Sequence, residues 1–217
     1  MLVGNRMTHP VITITPDTTL PDALAKMKVE KVRRFPVVDK RGKLVGIVSD
    51  NDLLNASPSG ATTLSIWELN YLLSKITIEK VMNREVITVT EDTPIEEAAR
   101  IMADHEIGGL PVMRGDSVVG IITETDLFKI LLELLGARSP GIRVTVLIED
   151  EPGRLEQLTD AVHHAHGNFV SIASFMGESS MDVMITFKVN GIDLETLKQA
   201  IKPVVKKIED IREMSWL

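Results

Sequence analysis

The sequence predicts an α/β (α+β) chain: two β-α-β-β-α units in tandem, then a βαββαβ module of the ferredoxin-like kind. Three observations predict it. An internal repeat spans the first two thirds of the chain. Met7 matches Met82, Val11-Ile12-Thr13-Ile14-Thr15 matches Val86-Ile87-Thr88-Val89-Thr90, and Phe35-Pro36-Val37-Val38 matches Leu110-Pro111-Val112-Met113. Both copies close on one device, a short apolar strand running into Ser49-x-x-Asp52 or Thr123-x-x-Asp126. From about residue 142 the rhythm changes, with a new order of alternating strands and amphipathic helices.

Each copy begins with a β-rich piece, residues 11–15 or 86–90. Thr18 and Thr93 are expected to cap the next helix, and Pro94 suits a first helical position. The helices are expected over 20–31 and 95–106; Ile95, Ala98, Ala99 and Met102 carry the helical spacing. Strands follow at 35–38 and 110–113, then tight turns at Lys40-Arg41-Gly42 and Arg114-Gly115-Asp116. Between the copies, residues 64–73 read as a helix with a wide apolar face, which implies burial on more than one side. Gly136 to Gly141 is a domain break with a glycine cap. Beyond it, strands are expected at 143–148, 169–175, 181–189 and 208–214. Helices are expected at 154–166 and from an Asp193 cap to Lys206, with Pro203 tightening the last turns.

Composition limits the function. The chain has 217 residues, 44% of them hydrophobic and 25% charged, as in an ordinary globular protein. Aromatics are only 4%, so the core must be aliphatic with Met as filler. A net charge of −7 argues against nucleic-acid binding, which needs a basic face. The absence of Cys excludes disulfides, thiolate catalysis and Cys-based zinc sites. No membrane segment is expected, because Lys129 and Glu133 break the apolar run 127–135. The N-terminus has no apolar signal region, so the reading is cytoplasmic. His163 and His166 share a helix face, but no acid completes a metal set, and a solvated face is the better account. No nucleophile–base arrangement, metal cluster or P-loop stands out, so no catalytic residue is assigned and the chain is read as a non-enzyme.

The hydroxyl–x–x–acid device has two readings. As a capping box it satisfies free N–H groups at a helix start. As a ligand site, the helix N-terminus suits a phosphate and the carboxylate suits both ribose hydroxyls. The same atoms can serve both.

The paired copies, with h-P-V-V before the turn and G-h-h-S/T-x-x-D after it, resemble a tandem pair of CBS domains over residues 1–138. The resemblance implies repeats at 1–57 and 76–138, separated by an insert at 58–75 and packed about a pseudo-two-fold axis. It implies two clefts for adenosine ligands: AMP, ADP, ATP or S-adenosylmethionine as regulatory effectors, with no cofactor required. Asp52 and Asp126 would hold ribose, and Ser49 and Thr123 would contact ribose or phosphate. Val32-Arg33-Arg34 before Pro36, and Ile107-Gly108-Gly109 before Pro111, would line the base or phosphate region with Ile12 and Ile87. Grouped by copy, one cleft would have the two arginines and the other the two glycines, where a backbone can approach a flat base.

Residues 139–217 resemble an ACT domain, on the βαββαβ order and the Asp150-Glu151-Pro152-Gly153 loop between first strand and helix. The resemblance implies dimerisation and an amino-acid site built from Asp150, Pro152, Gly153 and Asn168, with the ligand carboxylate at the helix start near Gly153. The whole arrangement resembles the acetoin-utilisation B-type proteins. That implies a homodimeric regulator of acetoin or related carbon metabolism, acting on an enzyme partner through small-molecule effectors. The alternative is a partner-binding scaffold with vestigial clefts, in which the 64–73 helix would be the contact surface.

Overall fold

The computed structural model describes residues 1–56 and 71–215. The chain divides into two compact units, Met1–Leu127 and Phe128–Leu217. In the first unit the two copies fold alike. The first runs α1 (Leu20–Glu30), β1 (Arg34–Val38), β2 (Leu44–Ser49) and α2 (Asp50–Asn55). The second runs α3 (Ile78–Val81), β3 (Val89–Thr90), α4 (Ile95–Asp104), β4 (Gly109–Arg114), β5 (Ser117–Thr123) and the start of α5 (Glu124–Leu134), whose remainder belongs to the second unit.

Local chemistry explains these elements. Helix α1 starts where the Thr19 hydroxyl accepts from the Asp22 N–H, and it buries Leu20, Ala23 and Met27 at helical spacing. Helix α4 buries Ile95, Ala98 and Met102 in the same way. Strands β1 and β2 pair antiparallel, as do β4 and β5, while β3 runs parallel to β4. In the first turn Asp39 Oδ1 accepts from the N–H groups of Arg41 and Lys43 at 2.8 and 2.9 Å, and Gly42 supplies a φ of +81°.

The two copies hold each other by exchange. The Leu20 N–H donates to Ile76 O (2.9 Å), and its counterpart Ile95 N–H donates to Met1 O (3.1 Å). Val3 N–H reaches Thr93 O and Ile78 N–H reaches Thr18 O, both at 2.9 Å. Thr8 and Ile121 exchange two backbone bonds, and so do Asn83 and Ile47. The segment leading into each copy thus completes the other. Ile78 and Met82, at the start of the second copy, lie in one buried cluster with Leu20, Phe35, Val48 and Leu53 of the first.

This exchange accounts for two departures from expectation. Thr18 and Thr93 are not the helix caps; Thr19 and Pro94 are. The carbonyls of Thr18 and Thr93 instead receive the leading segments, which pushes each helix start one residue on. Residues 11–15 do not form a strand; only Ile14 bridges to β1, at Val37. Pro36 faces Ile47 in β1, so Ile14 takes what that edge offers: its N–H reaches Pro36 O, and its carbonyl accepts from Val38. Most of the expected helix at 64–73 lies outside the described residues; 71–74 are helical.

The second unit runs β6 (Gly141–Glu149), α6 (Arg154–His164), β7 (Asn168–Met176), β8 (Asp182–Asn190), α7 (Leu194–Ile201) and β9 (Lys207–Met214). The sheet order is β7-β8-β6-β9 with antiparallel neighbours throughout, the ferredoxin-like arrangement. Ile142, Val144, Val146 and Ile148 alternate inward along β6 and pack with Leu158, Val162, Leu197 and Ile201 of the helices. Asp193 caps α7 by accepting from the Thr196 N–H at 2.9 Å. That helix stops at Ile201, short of Lys206, because Pro203 allows only a 3₁₀ turn over Lys202–Val204. No described helix is long and apolar enough to cross a membrane.

One buried cation fixes the segment before β6. Lys188 is only 3% exposed, and its ammonium donates to Gly136 O at 2.7 Å and Ser139 O at 3.0 Å. Burial pushes its pKa below the usual lysine range, and Arg143 adds repulsion. Gly136, at φ +58°, ends the turn after α5 and so presents its carbonyl to the amine. Lys188→Met keeps most of the apolar stem and removes the charged donor. It should lower stability to urea by about 1.5–3 kcal/mol.

A second expectation concerns Gly46 and Gly120. A Cβ on Gly46 would lie 2.5 Å from the Met82 sulfur, and one on Gly120 would meet the Met7 sulfur in the same way. Gly120→Ala should therefore cost about 1–3 kcal/mol, as overpacking does. Chemical denaturation of the single and double variants should show Met7→Ala and Gly120→Ala to be less than additive.

Candidate functional site

The hydroxyl–acid device is a complete capping box in the first copy. Ser49 stands at the N-cap of α2 in extended backbone. Its N–H and its hydroxyl both donate to Asp52 Oδ2 at 2.7 Å, and its Oγ accepts from the Asp52 N–H at 3.3 Å. The second copy repeats the arrangement: Thr123 N–H and Oγ1 donate to Asp126 Oδ2 at 3.1 and 2.7 Å. Among the described residues, both hydrogen bonds that Asp52 accepts end on Oδ2.

Ser49 and Asp52 line a cavity of about 600 Å³. That size lies within the range of small-molecule sites. The other walls come from the second copy: Val86 and Ile87 before β3, Ile107, Gly108 and Gly109 before β4, and Glu124 at the start of α5. Arg34 reaches in from β1. The cleft is therefore built across the copies rather than within one, as the exchange of leading segments requires. Grouping by copy placed Asp52 with the arginines and Asp126 with the glycines. In the structure the Asp52 cavity is lined by Arg34 as well as by Gly108 and Gly109.

The glycine pair lines the cavity, as expected of it, and also bears a side chain. A Cβ on Gly108 would lie 2.5 Å from Arg34 Nη2 and 2.7 Å from Glu124 Oε2. One on Gly109 would lie 2.5 Å from Arg34 Nη1. The bare backbone is thus the floor on which the Arg34 guanidinium rests, beside the Glu124 carboxylate. Burial pushes the Arg34 pKa down from its usual range, and Glu124 pulls it back up.

The α2 start also differs from a free anion site. Asp50 N–H donates to Arg33 O at 2.9 Å, Asn51 N–H to Asp50 Oδ1 at 3.0 Å, and Asp52 N–H to Ser49 Oγ. The first N–H groups of this helix already have acceptors, so they do not stand open to a phosphate.

Other expected residues lie elsewhere. Thr123 and Asp126 are half-buried, and exposed Arg33 is brought to that end of the unit, where Nη2 donates to Thr125 Oγ1 at 3.1 Å. Pro36 and Pro111 are buried in β1 and β4, opposite Ile47 and Ile121. Ile12 and Val32 are half-buried beside the first copy's core. None of these lines the cavity holding Asp52.

The reading by motif passed over the acidic lining: Asp50, Glu85, Glu106 and Glu124. Two of them were in view. Asp50 and Glu124 each follow the capping hydroxyl directly, a match between copies that capping alone does not require.

In the second unit the four residues expected to share an amino-acid site do not converge within one chain. Asp150 bonds to Met181 at one end of β8, while Asn168 pairs with Asn190 at the other. Along the strand that is roughly 30 Å. Pro152 is exposed, and Gly153 takes φ +90° at the N-cap of α6. Asn168 donates to Asn190 Oδ1 at 3.2 Å. A cavity of about 70 Å³, lined by Arg143, Ser171, Thr186 and Lys188 among others, touches none of the four. Among the described residues no three His, Asp or Glu come together as a metal site.

This architecture is that of two paired repeats followed by a ferredoxin-like domain, and the similarities agree. Residues 3–59 and 78–133 match the CBS domain, and residues 140–212 match the TTHA0829-like ACT domain. The chain belongs to the CBS-domain family and has an ACT-type domain at its C-terminal end. CBS and ACT domains are regulatory modules.

A CBS domain-containing protein of Dictyostelium discoideum is 32% identical over 136 residues, which cover 62% of this chain and 94% of that protein. Protein MJ1225 of Methanocaldococcus jannaschii is also 32% identical over 136 residues, 59% of this chain but only 46% of that protein. This chain thus spans less than half of that longer relative.

Among solved structures, the CBS domain pair of protein MJ0100 is 30% identical with a TM-score of 0.52, covering 64% of this chain and 98% of that one. It was solved in complex with 5′-methylthioadenosine and S-adenosyl-L-methionine. A Vibrio cholerae protein provisionally named for acetoin utilization (AcuB) is 35% identical with a TM-score of 0.52, covering 64% of this chain and 95% of that one.

The capping boxes carry a stability expectation of their own. Ser49→Ala removes the acceptor for the Asp52 N–H and should cost about 0.5–2 kcal/mol in urea denaturation, with Thr123→Ala similar.

Proposed function

We propose that the chain is a regulatory ligand sensor whose cavity at Ser49 and Asp52 binds an adenosine-type ligand. The observation that carries this reading is the capping box opening onto a cavity with apolar walls at Ile87 and Ile107. Asp52 Oδ2 is held by the cap, which leaves Oδ1 for the ribose hydroxyls. Ile87 and Ile107 suit the faces of a base. The two adenosine derivatives held by the MJ0100 pair support the class of ligand.

In this reading the second cleft, at Thr123 and Asp126 with Arg33 nearby, is a separate site of the same kind. The C-terminal unit holds a homodimer together. Support comes from β7, an edge strand with Ile172, Phe175 and Met176 exposed. An amino-acid site that used both Asp150 and Asn168 would need two copies of the chain, since one copy holds them at opposite ends of the sheet. The output is control of a partner enzyme, in acetoin or related carbon metabolism by likeness to the Vibrio cholerae protein, within the cytoplasm.

Calorimetric titration with AMP, ADP, ATP and S-adenosylmethionine tests the proposal. At least one should bind the full chain. Asp52→Ala should weaken that binding by about ten- to a hundred-fold, the effect of losing a charge-assisted hydrogen bond worth about 1.5–3 kcal/mol. Equal binding to wild type and variant would remove the role given to Asp52.

A further inference from the structure

The described residues lining the Asp52 cavity include five carboxylates, on Asp50, Asp52, Glu85, Glu106 and Glu124, and one guanidinium, on Arg34. No lysine is among them. Residues 57–70 contain no Lys or Arg, so that stretch has no positive side chain to add. The single guanidinium is already flanked by Glu124 across Gly108. His105 also lines the cavity, but the carboxylates outnumber the cationic groups, and a cleft with such an excess of one sign biases what enters.

The backbone points the same way. The N–H groups of Asp50, Asn51 and Asp52 at the start of α2 all have acceptors inside the protein, so a phosphate would find no free helix-end donors there. Nor do three described acidic or histidine side chains converge to hold a metal that would offset the charge of a phosphate chain. The cavity offers a ribose-binding carboxylate and apolar walls, but little to receive an anion.

We infer that this cavity selects neutral or cationic adenosine derivatives, thioether or sulfonium nucleosides, over nucleotides bearing phosphate. The inference rests on the reading of the cavity as an adenosine-type site and names the ligand class within it. The carboxylates repel a phosphate chain and attract a sulfonium or an ammonium group. A neutral thioether nucleoside enters without electrostatic opposition.

The test is calorimetry on the full chain at low salt without magnesium, using 5′-methylthioadenosine, S-adenosylmethionine, AMP and ATP. The first two should bind at least tenfold more tightly than AMP, with ATP weakest. Raising the salt should narrow the gap, because the repulsion is screened. The double variant Glu85→Gln, Glu106→Gln changes two exposed rim carboxylates. It should bind ATP several-fold more tightly and S-adenosylmethionine more weakly, and leave 5′-methylthioadenosine unchanged. Asp52→Ala should weaken every ligand, which places the binding in this cavity.

AMP or ATP binding as tightly as 5′-methylthioadenosine, at a site that Asp52→Ala weakens, would overturn the selectivity and leave the adenosine reading standing. If no adenosine compound binds, or if Asp52→Ala changes nothing, the adenosine reading of this cavity is wrong and the selectivity falls with it.

Discussion

The leading segment of each copy is bound by the other copy, and the first unit depends on that exchange. The N–H groups of Val3, Gly4 and Thr8 donate to Thr93, Glu91 and Ile121, those of Ile78, Glu79 and Asn83 donate to Thr18, Pro16 and Ile47, and Ile76 O accepts from the Leu20 N–H. Ile78 and Met82 then fill the core that Leu20 and Phe35 begin. The first copy does not finish its core by itself. The glycines at 46 and 120 follow from the same constraint, because the thioethers of Met82 and Met7 lie where a side chain would project. Much of what looks like repeated sequence is thus a record of matched contacts between the copies.

The site inherits this arrangement. A cleft made within one copy would have walls of one origin, and its residues would follow one another in the sequence. The exchange sets Asn83, at the start of the second copy, against Ile47 in the strand before the first copy's strand-to-helix turn, and Asp52 lines one cavity with Ile87 and Gly108. Arg34 then lies on the glycine pair of the other copy. The same carboxylate closes a helix cap and faces a cavity, which joins the local stability of α2 to the chemistry of the cleft. Binding that draws on Asp52 acts directly on the start of that helix.

The elements were legible in the sequence wherever periodicity was strong. The inward alternation of β6, the Ala98 and Met102 face of α4 and the Asp193 cap all stand where the pattern places them. The Ser49 and Thr123 capping boxes were legible too, because three-residue spacing reports directly on a helix start. Legibility failed where a distant segment took over a local bond. Thr18 and Thr93 carry the right side chains for caps, but their carbonyls are claimed by Ile78 and Val3 from far along the chain. The partners of Asp52, Gly108 and Asn168 were hidden for the same reason: each depends on which ends the topology brings together. Glu85 and Glu106 carry no motif, and only the fold gives their charges a common target.

The reciprocity of the exchange also makes the repeat self-complementary. Each bond from a leading segment has a counterpart made by the matching residue of the other copy, Leu20 with Ile76 and Ile95 with Met1, Val3 with Thr93 and Ile78 with Thr18. Two identical copies of a single repeat would meet those needs for each other about a true two-fold axis. A single repeat thus carries both halves of the complementarity, the groups that give and the groups that receive. Within one chain the two copies need not be identical. Arg33-Arg34 in one copy and Gly108-Gly109 in the other break the symmetry, with Arg34 of one half occupying the space that the glycines of the other leave open.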